Sequence, residues 1–423
     1  MDLLETADGG FLACGYGTSN NGDFSGAHGS HDLHIAHLSP SGVLQWTRTY
    51  GGSGMDLAHA IRPYPGSRAV VIATSTSGDG DPTHNNGDED LWVLMLDYMG
   101  SILWQRVIGG SSTDAAFDLV IRADGSLRIA GASGSNDGDV IPGSGSQDAW
   151  VVDLDSVGNL IGQYKYGGSA DDGIRTIHEL PGGGWLYSGS TCSNDGMVTG
   201  NQGWSDTWVL HTNDQDSLLW QRCLGGSAID GAARSILTNE GGLVVAAVSN
   251  SIDGDISQAW GGDDFWIFEL DGSGSLLWDI SLGGSAGDMP YDMLAVTDST
   301  FLIAGHTLST DGNVIGHHGD HDGWIVKIGP LVTGAMEQSR SSYRVWPNPA
   351  SSFVLLDLGM EMKGTWDLRL LDAMGREIRD VNGVPTAGNG RIAIDVSTLP
   401  EASYLLQVSM VEGTYFTRLV VAR

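Results

Sequence analysis

Along residues 1–330 the apolar positions fall in short alternating runs, and none of them recurs at the 3.6-residue spacing of a helix. One stretch shows the pattern. Phe117–Ile121 reads as a strand ended by Ala-Asp-Gly, and Leu127–Ala130 as a second. A polar loop, Ser133–Gln147, leads to a third at Trp150–Leu154, and a Ser-Val-Gly turn leads to a fourth at Leu160–Tyr166. Turn residues between β-branched and aromatic runs predict one antiparallel four-stranded sheet.

That unit repeats. Gly-Gly-Ser begins at Gly51, Gly109, Gly167, Gly225 and Gly283, a constant step of 58 residues. An acid follows at Asp56, Asp114, Asp172, Asp230 and Asp288. Further columns keep the same step: Asn21, Asp79, Asp137, Asp195, Asp253 and Asp311; then Asp32, Asp90, Asp148, Asp206, Asp264 and Asp322. Two residues after the last column stand His34, Trp92, Trp150, Trp208, Trp266 and Trp324. Four strands per unit, repeated radially, predict an all-β fold, a six-bladed β-propeller over residues 1–330. The sixth copy stops near Pro330 without its fourth strand. The strand that closes the ring is therefore missing, and it is expected upstream of Met1 together with an export signal.

Composition narrows the function classes. The chain holds 42 Asp and 10 Glu against 17 Arg and 3 Lys, a net charge of −32. Such a surface repels phosphate backbones and anionic lipid, which excludes a nucleic-acid partner. No apolar run reaches the roughly 18 residues of a membrane helix. The three cysteines form no framework that reports a redox compartment.

The acidity ends abruptly. Residues 331–342 carry no repeat anchor and read as a linker, and residues 343–423 are nearly neutral. Strands are predicted at Phe353–Leu358, Trp366–Leu371, Arg391–Val396, Tyr404–Met410 and Tyr415–Val421, enough for a small Ig-like β-sandwich. Val345-Trp346-Pro347-Asn348-Pro349-Ala350-Ser351 resembles the opening of the type A C-terminal sorting domain of the Bacteroidetes type IX secretion system. Asp372-Ala373-Met374-Gly375-Arg376 resembles its central turn. Asp395-Val396-Ser397-Thr398-Leu399-Pro400, with Tyr404, resembles its later strand opening, although Glu401-Ala402-Ser403 stands where the family usually has a glycine before the aromatic residue. The resemblance implies export through the periplasm, contact with the type IX machinery, and release or attachment at the outer-membrane surface. The preceding repeats resemble propeller-like arrays that often accompany such domains.

Several residue groups are candidates for chemistry. Asp79, Asp81 and Asp90 sit at relative positions 1, 3 and 12, and Asp137, Asp139, Asp148 and Asp253, Asp255, Asp264 repeat the spacing. Carboxylates so spaced suit calcium, which takes six to eight oxygens. The competing reading is an Asp-Gly turn whose carboxylate accepts nearby backbone N–H groups. His317, His318 and His321, beside Asp320 and Asp322, offer imidazoles for zinc, and His28 and His31 hold matching places in the first loop. Trp204 and Trp260 fall outside the repeat columns and suit stacking on a sugar or a partner protein. Nucleophile elbow, phosphate loop and zinc-protease motifs are all missing.

Together these features predict a secreted or cell-surface protein whose propeller is a binding or adhesion scaffold for a glycan or protein. The alternatives are a polysaccharide-acting hydrolase or lyase on the same fold and a surface-layer module without a ligand. An active site would break the repeat symmetry, with copy-specific residues gathered at one place.

Overall fold

The computed structural model describes residues 2–329, 344–346, 350–357, 367–371, 377–380, 384–386, 391–400, 402–410 and 413–421. The chain divides into two compact units, Met1–Ile328 and Gly329–Arg423.

The first unit is a six-bladed β-propeller. Its blades span residues 2–50, 56–108, 114–166, 172–224, 230–282 and 288–328. Blades one to five are four-stranded antiparallel meanders, and blade six has three strands. The closing strand is not among the described residues. The first strands of successive blades touch one another, which places them around the axis.

The four predicted strands of blade three are present, with three bounds extended. The first begins at Asp114 rather than Phe117, the second runs to Ser133 rather than Ala130, and the third begins at Asp148 rather than Trp150. Gly131 and Ala132 fall between the predicted second strand and the predicted loop. Gly131 lacks a side chain because the neighbouring backbone is close: a Cβ there would lie 2.0 Å from the Ala115 carbonyl oxygen.

Apolar residues fill five seams between consecutive blades. The recurring tryptophans are the largest plugs. Trp92, Trp150, Trp208 and Trp266 are at most 1% exposed. Each Nε1–H donates to a side chain of the next strand: Gln105, Gln163, Gln221 and Asp279, at 2.8–3.1 Å. A buried indole keeps its polar atom satisfied this way. Blades six and one share no such apolar cluster among the described residues. Ile325 of blade six is 72% exposed, whereas its counterparts Val93, Val151, Val209 and Ile267 are all at 0%.

The second unit pairs two four-stranded antiparallel sheets. Val354, Leu356 and Ile394 of one sheet meet Leu368, Leu370, Leu406 and Leu419 of the other in one core. The five predicted strands are present, and short strands at Arg344–Trp346, Glu377–Asp380 and Val384–Thr386 complete the sheets. Runs of three or four residues gave too little alternation to be read from sequence. Pro347, Asn348, Pro349, Asp372, Gly375 and Arg376 lie outside the described residues. Leu399 and Tyr404 are buried, and the Tyr404 hydroxyl donates to the Pro400 carbonyl at 2.8 Å.

Candidate functional site

The recurring aspartates form the joints between blades. The backbone N–H of Asp56 donates to the His31 carbonyl of the preceding blade, at 2.7 Å. Its carboxylate accepts from Ser75 Oγ, Ser77 Oγ and the Gly52 N–H, at 2.5–2.9 Å. Asp79 then reaches back, and its Oδ1 accepts the Ser53 N–H at 2.7 Å. The same 2.7 Å bond recurs at Asp137, Asp195, Asp253 and Asp311. These donors hold the carboxylates of Asp79, Asp137, Asp195 and Asp311 below the usual carboxylate pKa range.

The residues proposed for calcium are thus dispersed over different donors. Asp81 and Asp255 accept the N–H groups of Gly51 and Gly225, at 3.0 and 3.2 Å. Asp90, Asp148 and Asp264 accept backbone N–H groups of their own loops. Asp139 accepts from Asn86 Nδ2 at 3.4 Å. Among the described residues, no group of three or more His, Cys, Asp or Glu side chains converges in a way that could hold a metal.

His317, His318 and His321 also separate. His318 leans toward Asp322 at 3.8 Å, while the His321 ring meets His306 at 4.8 Å. Trp204 is 80% exposed. Trp260 is anchored, its Nε1–H donating to the Ser281 carbonyl at 3.0 Å.

At the joints, burial creates unusual acids. Asp90, Asp206 and Asp264 are pushed up to about 6 by burial, reinforced by Asp114, Asp230 and Asp288 respectively. The Oδ1 atoms of Asp32, Asp90, Asp206 and Asp264 are buried without a hydrogen-bond partner. Joint three differs. Lys165 Nζ lies 3.8 Å from Asp148 and donates to the Ser135 carbonyl at 2.7 Å. Thr49, Val107, Cys223 and Ser281 occupy the matching places in the other blades.

The copy-specific residues that do gather are on the axis, and pattern reading passed over them. The first strands of blades two to six each carry one extra residue, at His59, Phe117, Arg175, Ala233 and Tyr291. A β-bulge bends its strand and re-aims the extra side chain. Phe117 meets His59 edge-on at 5.2 Å, and the Arg175 guanidinium lies 3.9 Å from the Phe117 ring centre.

Beside this layer runs an ion chain. Arg62 pairs with Asp2 and Asp118, while Arg234 reaches Asp118 at 3.7 Å and Asp292 at 3.3 Å. Arg234 belongs to blade five and Asp118 to blade three, so the chain crosses the axis. His178, close by, bonds Ser235 Oγ at 2.9 Å, and burial lowers its pKa to about 4. The sequence signal was a column without identity: Asp2, Ala60, Asp118, Thr176, Arg234 and Asp292 share one repeat position.

Another departure is structural. Arg128 replaces an apolar residue of its column and is 1% exposed. It forms two bonds with Asp153, at 2.6–2.8 Å, and two with Asp216, at 2.5–2.9 Å. Asp216 adopts a φ of 59°, a left-handed turn that presents its carboxylate to Arg128.

Comparison with curated proteins finds no match. Solved structures give distant likenesses. An apocarotenoid oxygenase of Synechocystis is 12% identical, with 70% of this chain and 72% of that one covered, at a TM-score of 0.38. A chimera of ACO and RPE65 is 12% identical, covering 99% and 89%, at 0.39. A puromycin hydrolase is 10% identical, covering 84% and 58%, at 0.36. Likeness this remote carries no argument about chemistry. A family model described as a secretion system C-terminal sorting domain matches residues 344–422. No helix among the described residues is long and apolar enough to cross a membrane. The C-terminal unit is a type IX secretion sorting domain following a β-propeller, which implies export to the cell surface or beyond.

Proposed function

We propose that the propeller is an extracellular binding scaffold, acting in adhesion, which the sorting domain delivers through the type IX machinery. The supporting observation is how the acids are used. Loop carboxylates accept N–H groups of the adjacent turn, and Asp2, Asp118 and Asp292 are paired with arginine on the axis. A glycoside hydrolase needs two carboxyl groups free to face a substrate, one of them protonated. Acids fixed this way serve joints and shape a surface. A glycan array followed by a reducing-sugar assay tests the reading. Binding without product is the expected result, and release of new reducing ends would establish the hydrolase or lyase instead.

A further inference from the structure

We propose that the axial bulge layer binds a ligand carboxylate through Arg175, with the Phe117 ring as its platform and His59 beside it. The proposal deepens the scaffold reading by naming a ligand chemistry.

Three observations carry it. Arg175 has no carboxylate partner among the described residues, although the chain is strongly acidic. Every other arginine of the axis is engaged: Arg62 by Asp2 and Asp118, Arg234 by Asp118 and Asp292. Next, the guanidinium is held in place. Its Cζ lies over the Phe117 ring, 3.9 Å from the ring centre, and the ring is itself braced edge-on by His59 at 5.2 Å. A stacked guanidinium keeps its in-plane N–H donors outward, in the fork that matches a planar carboxylate. Finally, the three residues come from blades two, three and four through the same backbone device, a bulge at one repeat position. The repeat keeps the bulge and changes the residue.

The surroundings suit an anion. Arg175 is exposed to solvent, so a ligand can reach it. Partial loss of hydration lowers its pKa with no carboxylate to offset the effect. A bound carboxylate supplies that missing stabilisation. Burial lowers the His59 pKa to about 4, so at neutral pH the imidazole offers one donor and one acceptor without charge.

The carboxylate could belong to an acidic sugar or to a peptide C-terminus. Isothermal titration of the full chain with sodium D-galacturonate, acetyl-alanyl-alanine and D-galactose separates them. Saturable binding of at least one carboxylate, with none of galactose, is expected. The tighter carboxylate identifies the source. Arg175→Gln should weaken it at least about tenfold, the loss expected for a charge-assisted pair. Arg175→Lys keeps the charge but loses fork and stacking, and should also weaken it. Arg222→Gln, at a distant strand, should leave it unchanged. Unaltered melting curves would show that the variants fold. Absence of binding by both carboxylates, or equal binding by wild type and Arg175→Gln, would overturn the assignment. The scaffold reading fails separately: array ligands held equally by wild type and Arg175→Gln preserve it, whereas turnover removes it.

Discussion

The rim of the propeller and its axis follow opposite rules. At the rim, five joints use the same aspartates, serines and glycines in the same bonds. At the axis, five matching bulges hold five different residues. Identity therefore marks what the ring needs to stand, and divergence at a shared backbone position marks where one blade does something its neighbours do not.

Substitutions sharpen that contrast. The largest effect should come from Arg128, a divergent residue used structurally. Arg128→Ala leaves Asp216 buried without its cation and Asp153 with Arg122 alone, which should cost about 3–5 kcal/mol in urea unfolding. A loss under about 1 kcal/mol would show that water enters and hydrates the pair.

Rim joints should come next. Asp114→Ala strips partners from Ser133, Ser135 and the Gly110 N–H, all buried. A cost of about 2–4 kcal/mol is expected, from leaving buried donors unmade. The equivalent Asp172→Ala should cost a similar amount if the joints are interchangeable. Unequal costs would break the rule for the rim.

The raised acids make a pH signature. Asp90, Asp206 and Asp264 bind protons more tightly folded than unfolded, so the native state holds more protons between about pH 4 and 6. Their contribution to stability is present at the acid end of that window and is lost as pH rises through it. Asp206→Asn mimics the protonated form and should raise the melting temperature at pH 7.5 by a few degrees, about 1 kcal/mol. Asp148→Asn removes the partner of Lys165 and should lower it. The same sign for both would refute the distinction between joints.

The smallest effect concerns calcium. Loop carboxylates already accept backbone N–H groups, so calcium or a chelator should move the melting midpoint by less than about 2 °C. A rise of about 5 °C with calcium would mean that Asp81, Asp139 and Asp255 recruit the ion.

The ring was readable from period alone, because joints made of fixed residues leave fixed columns. Asp79 was ambiguous for a physical reason. Its spacing to Asp81 and Asp90 suits a cation as well as a turn, and its actual partner, Ser53, belongs to the preceding joint. The axis was opaque for another. A bulge is a mismatch between two strands, and no single residue announces it. His59 and Arg175 look like ordinary strand positions until the pairing Ala58–Ala73 and Ala60–Ile72 shows that one residue has been skipped. Arg128 could have been flagged as a charge in a column of Leu12, Val70, Leu186, Val244 and Leu302.

The clasp between Ser53 and Asp79 joins residues 26 apart, one in the connection between two blades and one in a loop of the second, and the next clasp, Ser111 to Asp137, is its copy. Removing or duplicating one full period at the level of the gene would regenerate the same contact at the scar. Blade number is thus free to drift during evolution without inventing a new fastening, while each added blade brings one fresh bulge on which a different side chain can be tried.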